Sequence, residues 1–310
     1  MLAVYELHPA GRCNMCGSDD ARVLGRRLST SQGARPTRRV GVATTVMRCQ
    51  ACGLVYANPL PIPADIAQHY GGAPEEYWHK NEYLAAGQDF SPQIAVFRDV
   101  WEPRGSAPPV ALDVGAGLGH CMRALGAAGF DTYGIEPGEA FRRAAIEHGV
   151  SEDRLALATV ESATYEPGTF DFVTFGAVLE HLADPAGIIE RVKGWLAPGG
   201  LIHAEVPSSD WLTSRIVNRT YKLQGLDYVT NLSPMHPPYH LYEFTRRSFE
   251  LHGAGAGYDV VFVRRMTGRD VFLPGPAPAW RWLMSRTGTE MQLEIWLRAS
   301  GSASGTPRGL

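Results

Sequence analysis

The sequence predicts an α/β fold: a parallel sheet covered by helices on both faces, preceded by a small four-cysteine β ribbon. Three observations predict it. From residue 110 onward, apolar strand-like runs alternate with helical ones, the order that builds parallel sheets. The first such run ends in a glycine-rich turn, LDVGAGLG at 112–119. Ahead of both stand two CxxC pairs, Cys13/Cys16 and Cys49/Cys52.

Each CxxC pair is followed by a glycine, Gly17 or Gly53. Such a turn aims two thiolates at one point, and glycine tolerates the backbone it needs. Two turns supply four thiolates, which close a tetrahedral zinc site and leave no open position for catalysis. A redox pair would instead stand alone beside a βαβ unit. The expected zinc is therefore structural, and it folds a segment too small for its own core. The β-prone VGVATTVMRC ahead of the second turn suits a ribbon strand. Six arginines lie between 22 and 39. They read either as a solvated loop or as an anion contact, and the acidic overall balance favours the loop.

The ribbon is expected to span 1–62 and to end at the proline-rich PLPIPAD. A helical connector at 63–105, holding ADIAQHY and QIAVFRDVW, is expected to help cover the active site. The large domain follows at 106–300. VALDVGA is its first strand, and GHCMRALGAAG a helix stopped by Gly129. DTYGIEP, LALAT and FDFVTFGA are strands, with the helix GEAFRRAAIEHG after the first of them. DPAGIIERVKGWLAPGG is a helix capped by Asp184, started by Pro185 and ended by Pro198–Gly200. LIHAEVP is the fifth strand. Residues 207–245, rich in Pro, His and Tyr, break the rhythm and should form a lid. The helix RRSFELHGAG and a closing pair of strands, YDVVFVRRMT and EMQLEIWLRAS, complete the sheet, with a short Trp-containing helix between the pair. The tail 301–310 is expected to be disordered.

Composition narrows the partners. The 310 residues carry 29 basic and 32 acidic side chains, a net charge of −3. That disfavours a nucleic-acid partner. With 45% hydrophobic and 20% charged residues the chain is an ordinary globular one. No apolar run reaches the roughly 20 residues that span a bilayer. The N-terminus lacks the basic and apolar regions of an export signal, so the expected compartment is the cytoplasm.

The glycine loop points to a nucleoside-containing cofactor. Glycines let backbone approach a ligand closely, and the following helix offers free N–H groups. Glu136 ends the second strand, where a carboxylate can accept both ribose hydroxyls. The loop reads Gly115, Gly117, Gly119, with His120 in the place of the third glycine of a dinucleotide fingerprint. Asp113 precedes the first glycine by two residues and would repel a pyrophosphate.

This DxGxGxG form resembles motif I of the class I S-adenosylmethionine (SAM) methyltransferases. IEPG at 135–138 is similar to that family's ribose motif, and 169–207 to its fourth strand, helix and fifth strand. The resemblance implies a Rossmann-like seven-stranded sheet and SAM as cofactor. It implies that Gly115–Gly119 face the methionine part, Asp113 belonging to the same motif. Glu136 and Pro137 would hold the ribose end, and Val160 and Glu161 flank adenine. Phe175 and Gly176 would border the methionine end. An upstream aromatic, Tyr77, would close over the cofactor, or else simply pack in a helix. The ribbon ahead of such a domain is similar to a bacterial branch that includes sugar C-methyltransferases. Those enzymes carry a further C-terminal domain, for which 310 residues leave no expected room.

Methyl transfer to a neutral acceptor also needs a base. His181 follows the fourth strand, where the acceptor should approach, and an ordinary histidine titrates near neutrality. Base and scaffold are both open readings for it. His240, in the lid, is the second candidate. His236 and His240 would suit a metal on a helix, but Pro237 and Pro238 break that helix. Cys121 reads as a buried thiol. The expected activity is methyl transfer to a small molecule, at an O, C or N atom. The alternative is an RNA methyltransferase that reads RNA with its ribbon. The catalytic tetrapeptide of nucleic-acid amino-methyltransferases belongs after the fourth strand, where this chain has FGAV. Oligomeric state is not encoded in these features.

Overall fold

A computed structural model describes residues 5–28, 43–70, 89–103, 105–230, 240–267 and 273–300. Tyr77, His236, the arginines at 35–39 and the tail 301–310 lie outside them.

The ribbon is built from β1 (Tyr5–His8), β2 (Ala21–Leu28), β3 (Ala43–Cys49), β4 (Val55–Asn58) and β5 (Leu60–Pro63). β1 and β5 form a two-stranded antiparallel sheet. A short helix, α1 (Ile66–His69), and then α2 (Ser91–Val100) lead to the large sheet.

The first parallel strands are β6 (Val110–Val114), β7 (Asp131–Glu136), β8 (Leu155–Leu157) and β9 (Phe170–Gly176). Helix α3 (His120–Ala127) joins β6 to β7, and α4 (Glu139–Glu147) follows β7. β9 is buried from Phe170 to Phe175, as a strand covered on both faces must be. Helix α5 (Pro185–Trp195) starts as expected: Asp184 accepts a bond from Gly187 N and proline stands in the first turn. It stops earlier than the sequence suggested, because β10 (Leu196–Pro207) begins at Leu196, opposite Phe170 of β9, with an irregularity before Leu201. Gly200 sits in that stretch because a Cβ there would meet the carbonyls of Ala197 and Phe170 at 2.9 Å.

The segment expected to be only a lid contains α6 (Leu212–Leu223) and the two-residue strand β11 (Tyr242–Glu243). Thr, Ile and Val along α6 lower its helical signal. α7 (Arg246–Ala256), β12 (Tyr258–Met266), α8 (Ala277–Thr287) and β13 (Gln292–Ala299) complete the chain. A capping box of Thr245 and Ser248 fixes the start of α7.

The large sheet has seven strands in the order β12-β13-β10-β9-β6-β7-β8, and only β13 runs against the rest. The order reverses at β6, so a crevice opens at the carboxyl ends of β6 and β9. The ribbon sheet runs β11-β4-β3-β2 and so takes its last strand from the lid. One buried apolar cluster passes from Cys13, Met15 and Leu54 through Leu241 and Phe244 to Phe175 and Ile202. No helix among the described residues is long and apolar enough to cross a membrane.

On the α2 face, Trp296 is fully buried and stacks on Phe172 at 5.3 Å. Its indole N–H donates to Glu294 Oε1 at 2.8 Å. Trp296→Phe keeps the stacking but removes that donor from a buried carboxylate. A loss of about 1–3 kcal/mol of unfolding free energy is expected in urea titration; no change would mean the carboxylate draws nothing from the indole.

Candidate active site and candidate metal centre

The glycine loop caps β6. Gly115, Gly117 and Gly119 have φ of 73°, 53° and 71°, a region that favours glycine. Space is as restrictive as conformation: a Cβ on Gly115 would meet Val178 at 2.8 Å. Glu136, 5% exposed, faces this loop. Its Oε2 accepts from Gly117 N and its Oε1 from Gly138 N, both at 2.8 Å. Burial raises its carboxyl and these two amides oppose the rise. Each carboxylate oxygen has a second lone pair for another donor. Asp113 is buried and hydrogen-bonds Cys121, and burial together with Glu136 lifts its carboxyl to about 7. Cys121 is likewise a buried thiol, pushed up by burial and by Asp113.

Pro137, Ala158 and Thr159 border a depression of about 480 Å³ beyond the end of β7. Val160, next in the chain, is buried, and Glu161 is exposed. Phe175 is wholly buried in the core, so Gly176, which is exposed, is the residue of β9 that reaches the crevice. Tyr70 was not singled out from the sequence. Its carbonyl lies where a Cβ on Gly138 would touch it at 2.8 Å. Burial and the carboxylates of Glu136, Glu180 and Glu161 push its phenol far above the ordinary value. It therefore stands between the two ends of the crevice. A lone tyrosine in ADIAQHY carries no sequence signal for that placement.

The other end lies after β9. Ala177 takes a positive φ of 57°, and a single helical turn, Leu179–His181, follows. Glu180 is 1% exposed. Burial and the neighbouring Glu205 raise its carboxyl to about 8. His240 of the lid brings its Nε2 to 4.0 Å from Glu180 Oε1. The rings of His181 and His240 meet edge to face with centroids 4.7 Å apart. Donor atoms of Glu180, His181 and His240 lie within 4.8 Å of one another. The structure thus brings together the two histidines selected from the sequence and sets the Glu180 carboxyl beside them.

A polar row, with Glu294 buried at its centre, lies beside this cluster and was not visible in the sequence. Gly176 is opposite Glu205, Glu205 opposite Glu294, and Glu294 opposite Arg264. Arg264 Nε donates to Glu294 Oε2 at 2.7 Å. His203, 3% exposed, contacts Thr174 Oγ1 at 2.8 Å. Burial and the Arg264 cation hold its imidazole down to about 3. Below the ordinary histidine value the unfolded chain binds a proton that the folded chain refuses. Stability from this group is therefore present above about 6.5 and falls as pH drops toward 3. His203→Gln is expected to make the unfolding free energy less steep between pH 6 and pH 4, by about 1.4 kcal/mol per pH unit. Equal slopes would contradict a buried neutral imidazole.

The cysteines form a second centre. Cys13 and Cys52 sulfurs are 3.5 Å apart and those of Cys16 and Cys49 3.6 Å. All four lie within 4.8 Å of one another. A tetrahedral ion with Zn–S bonds of about 2.3 Å spaces its sulfurs by about 3.8 Å, so the set fits zinc. Gly17 N donates to Cys13 O at 2.8 Å and Gly53 N to Cys49 O at 3.0 Å, the tight turns anticipated from CxxC-Gly. Of the six arginines at 22–39, two are described docking the ribbon: Arg26 pairs with Asp227 at 3.1 Å and Arg27 donates to Val229 O at 3.1 Å.

Comparison with known proteins places this geometry. A family model described as "Methyltransferase domain" matches residues 77–263, more than half of the chain. A ubiquinone biosynthesis O-methyltransferase of Bordetella bronchiseptica is 33% identical over 132 residues, 40% of this chain and 51% of the relative. One from Pseudomonas paraeruginosa is 32% identical over 180 residues, 55% of this chain and 72% of the relative. The chain thus spans about half the length of the first relative and nearly three quarters of the second. A chain from the complex between the Haloferax volcanii Trm112 methyltransferase activator and a methyltransferase shares the fold. Its TM-score is 0.51 at 14% identity, covering 74% of this chain and 98% of that one.

Proposed function

The chain belongs to the SAM-dependent methyltransferases, in the family matched over residues 77–263, and from that premise we propose that it methylates a small-molecule acceptor with a histidine as general base. The observation that supports this reading is the two-ended crevice. Glu136 and the glycine-loop amides stand at one end, and Glu180, His181 and His240 at the other. SAM, when bound, supplies a methyl group already activated on a sulfonium, so catalysis rests on alignment and on removing the acceptor's proton.

The residues divide that work. Glu136 and Pro137 hold the ribose, Gly115, Gly117 and Gly119 let the methionine part approach the backbone, and Asp113 supports the loop from below. Val160 and Glu161 flank adenine. Gly176, with the backbone of Phe175, borders the methionine end, and Tyr70 or Tyr77 covers the cofactor. At the acceptor end, His181 or His240 takes the proton. The buried Glu180 lies against His240, its Oε1 4.0 Å from the ring Nε2. Zinc on Cys13, Cys16, Cys49 and Cys52 is structural. The ubiquinone relatives make a hydroxyl the first acceptor class to try; the ribbon's resemblance to sugar C-methyltransferases makes an acidic carbon the second.

Isothermal titration with SAM and SAH (S-adenosylhomocysteine), followed by transfer of labelled methyl to a panel of phenols and sugars, tests the reading. Binding of both cofactors and label on a small molecule would support it. Absence of cofactor binding, or label on RNA alone, would overturn it.

A further inference from the structure

The ribbon does more than precede the large domain. Both of its cysteine turns reach the segments that carry the two histidines. At the first turn, Asn14 lies between Cys13 and Cys16. Its Nδ2 donates to Asp184 Oδ1 at 2.7 Å, and its Oδ1 accepts from Ala186 N at 3.0 Å. That ties the turn to the start of α5, three residues beyond His181. Met15, beside it, is buried in the common core. At the second turn, Thr245 Oγ1 donates to Cys52 O at 2.6 Å and Ser209 Oγ to Gly53 O at 2.9 Å.

Strand β4, which leaves that second turn, then pairs with β11: Tyr242 faces Tyr56, and Glu243 faces Val55. One residue earlier, Leu241 joins three parts of the molecule. Its N–H donates to Glu180 O at 2.7 Å, and its carbonyl accepts from Ala57 N at 3.1 Å. Tyr242 Oη donates to Ala183 O at 2.9 Å. His240 is thereby fixed between the ribbon strand and the turn bearing Glu180 and His181. At the cofactor end the ties described for Glu136 are local to the large domain: Gly117 N and Gly138 N hold its two oxygens.

We propose that the four-cysteine ribbon is a positioning element of the acceptor site, holding His240 and His181 against each other through Leu241, Tyr242 and Asn14, while cofactor binding is independent of it. The proposal rests on the reading above for what the histidines do, but not for where they are held. A ribbon that merely added stability would fail with the whole fold. A positioning ribbon would disturb the histidines and spare the cofactor end.

The test uses the full chain loaded with zinc. Imidazole ¹H–¹³C cross-peaks are assigned with His181→Gln and His240→Gln, and SAH affinity is measured by titration. Removing zinc with a chelator is expected to move the His181 and His240 peaks and leave the SAH Kd within about threefold. Asn14→Ala with zinc retained is expected to shift the His181 peak more than the His240 peak, and Thr245→Val the converse, since each ring also feels its neighbour 4.7 Å away. Unmoved peaks after zinc is gone would overturn the proposal, as would peaks unmoved in both single variants. Should zinc removal unfold the chain, the two single variants decide by the same criterion. If zinc-loaded protein shows the expected shifts but binds no SAH, the positioning stands and the methyltransferase reading of the crevice fails.

Discussion

Glu136→Ala is expected to weaken SAH binding at least a hundredfold in isothermal titration. The carboxylate is 5% exposed and spans the crevice floor. Its two oxygens already order the amides of Gly117 and Gly138. A ribose diol would add two charge-assisted bonds of about 1.5–3 kcal/mol each, and alanine removes these together with the order of the loop. A loss of about 3 kcal/mol is more than a hundredfold in Kd. Glu136→Gln keeps one acceptor oxygen and should fall between. An alanine variant that binds SAH as tightly as the wild type would remove Glu136 from the cofactor site.

Turnover is the second large effect. His181→Ala and His240→Ala are each expected to lower kcat on an identified acceptor by about a hundredfold, the scale of a lost general base. SAH Kd should stay within about threefold in both, because Glu136 and the glycine-loop amides hold one another. If the two rings act as a unit, the double variant should lose little more than the more damaged single variant. Losses that multiply would mean independent roles. Equal loss of turnover and of SAH affinity would mark the histidines as scaffold.

Local chemistry was legible in the sequence, and long-range pairing was not. The glycine loop and each CxxC turn could be read because each is a compact motif a few residues long, and Glu136 because it ends the strand next to that loop. Gly117 donates to Glu136 only 19 residues on, across one helix and one strand. The order of strands from β6 to β10 followed from apolar runs and their breaks. His181 and His240 were selected separately, and nothing in the chain announced that they touch; their meeting depends on Leu241 bridging Glu180 and Ala57. Tyr70 escaped notice for the same reason. The row Glu205, Glu294, Arg264 was hidden because one residue from each strand makes it, and strand register is not written locally. Helix α6 was missed because its β-branched residues dilute a helical period.

The crystal structure of the chain with SAH bound tests the central claim most directly. The account predicts both ribose hydroxyls on the Glu136 carboxylate and adenine in the depression by Pro137 and Thr159. It places the sulfur beside Gly176, with open space between it and the rings of His181 and His240. SAH bound elsewhere, or with its sulfur turned away from those two histidines, would contradict it.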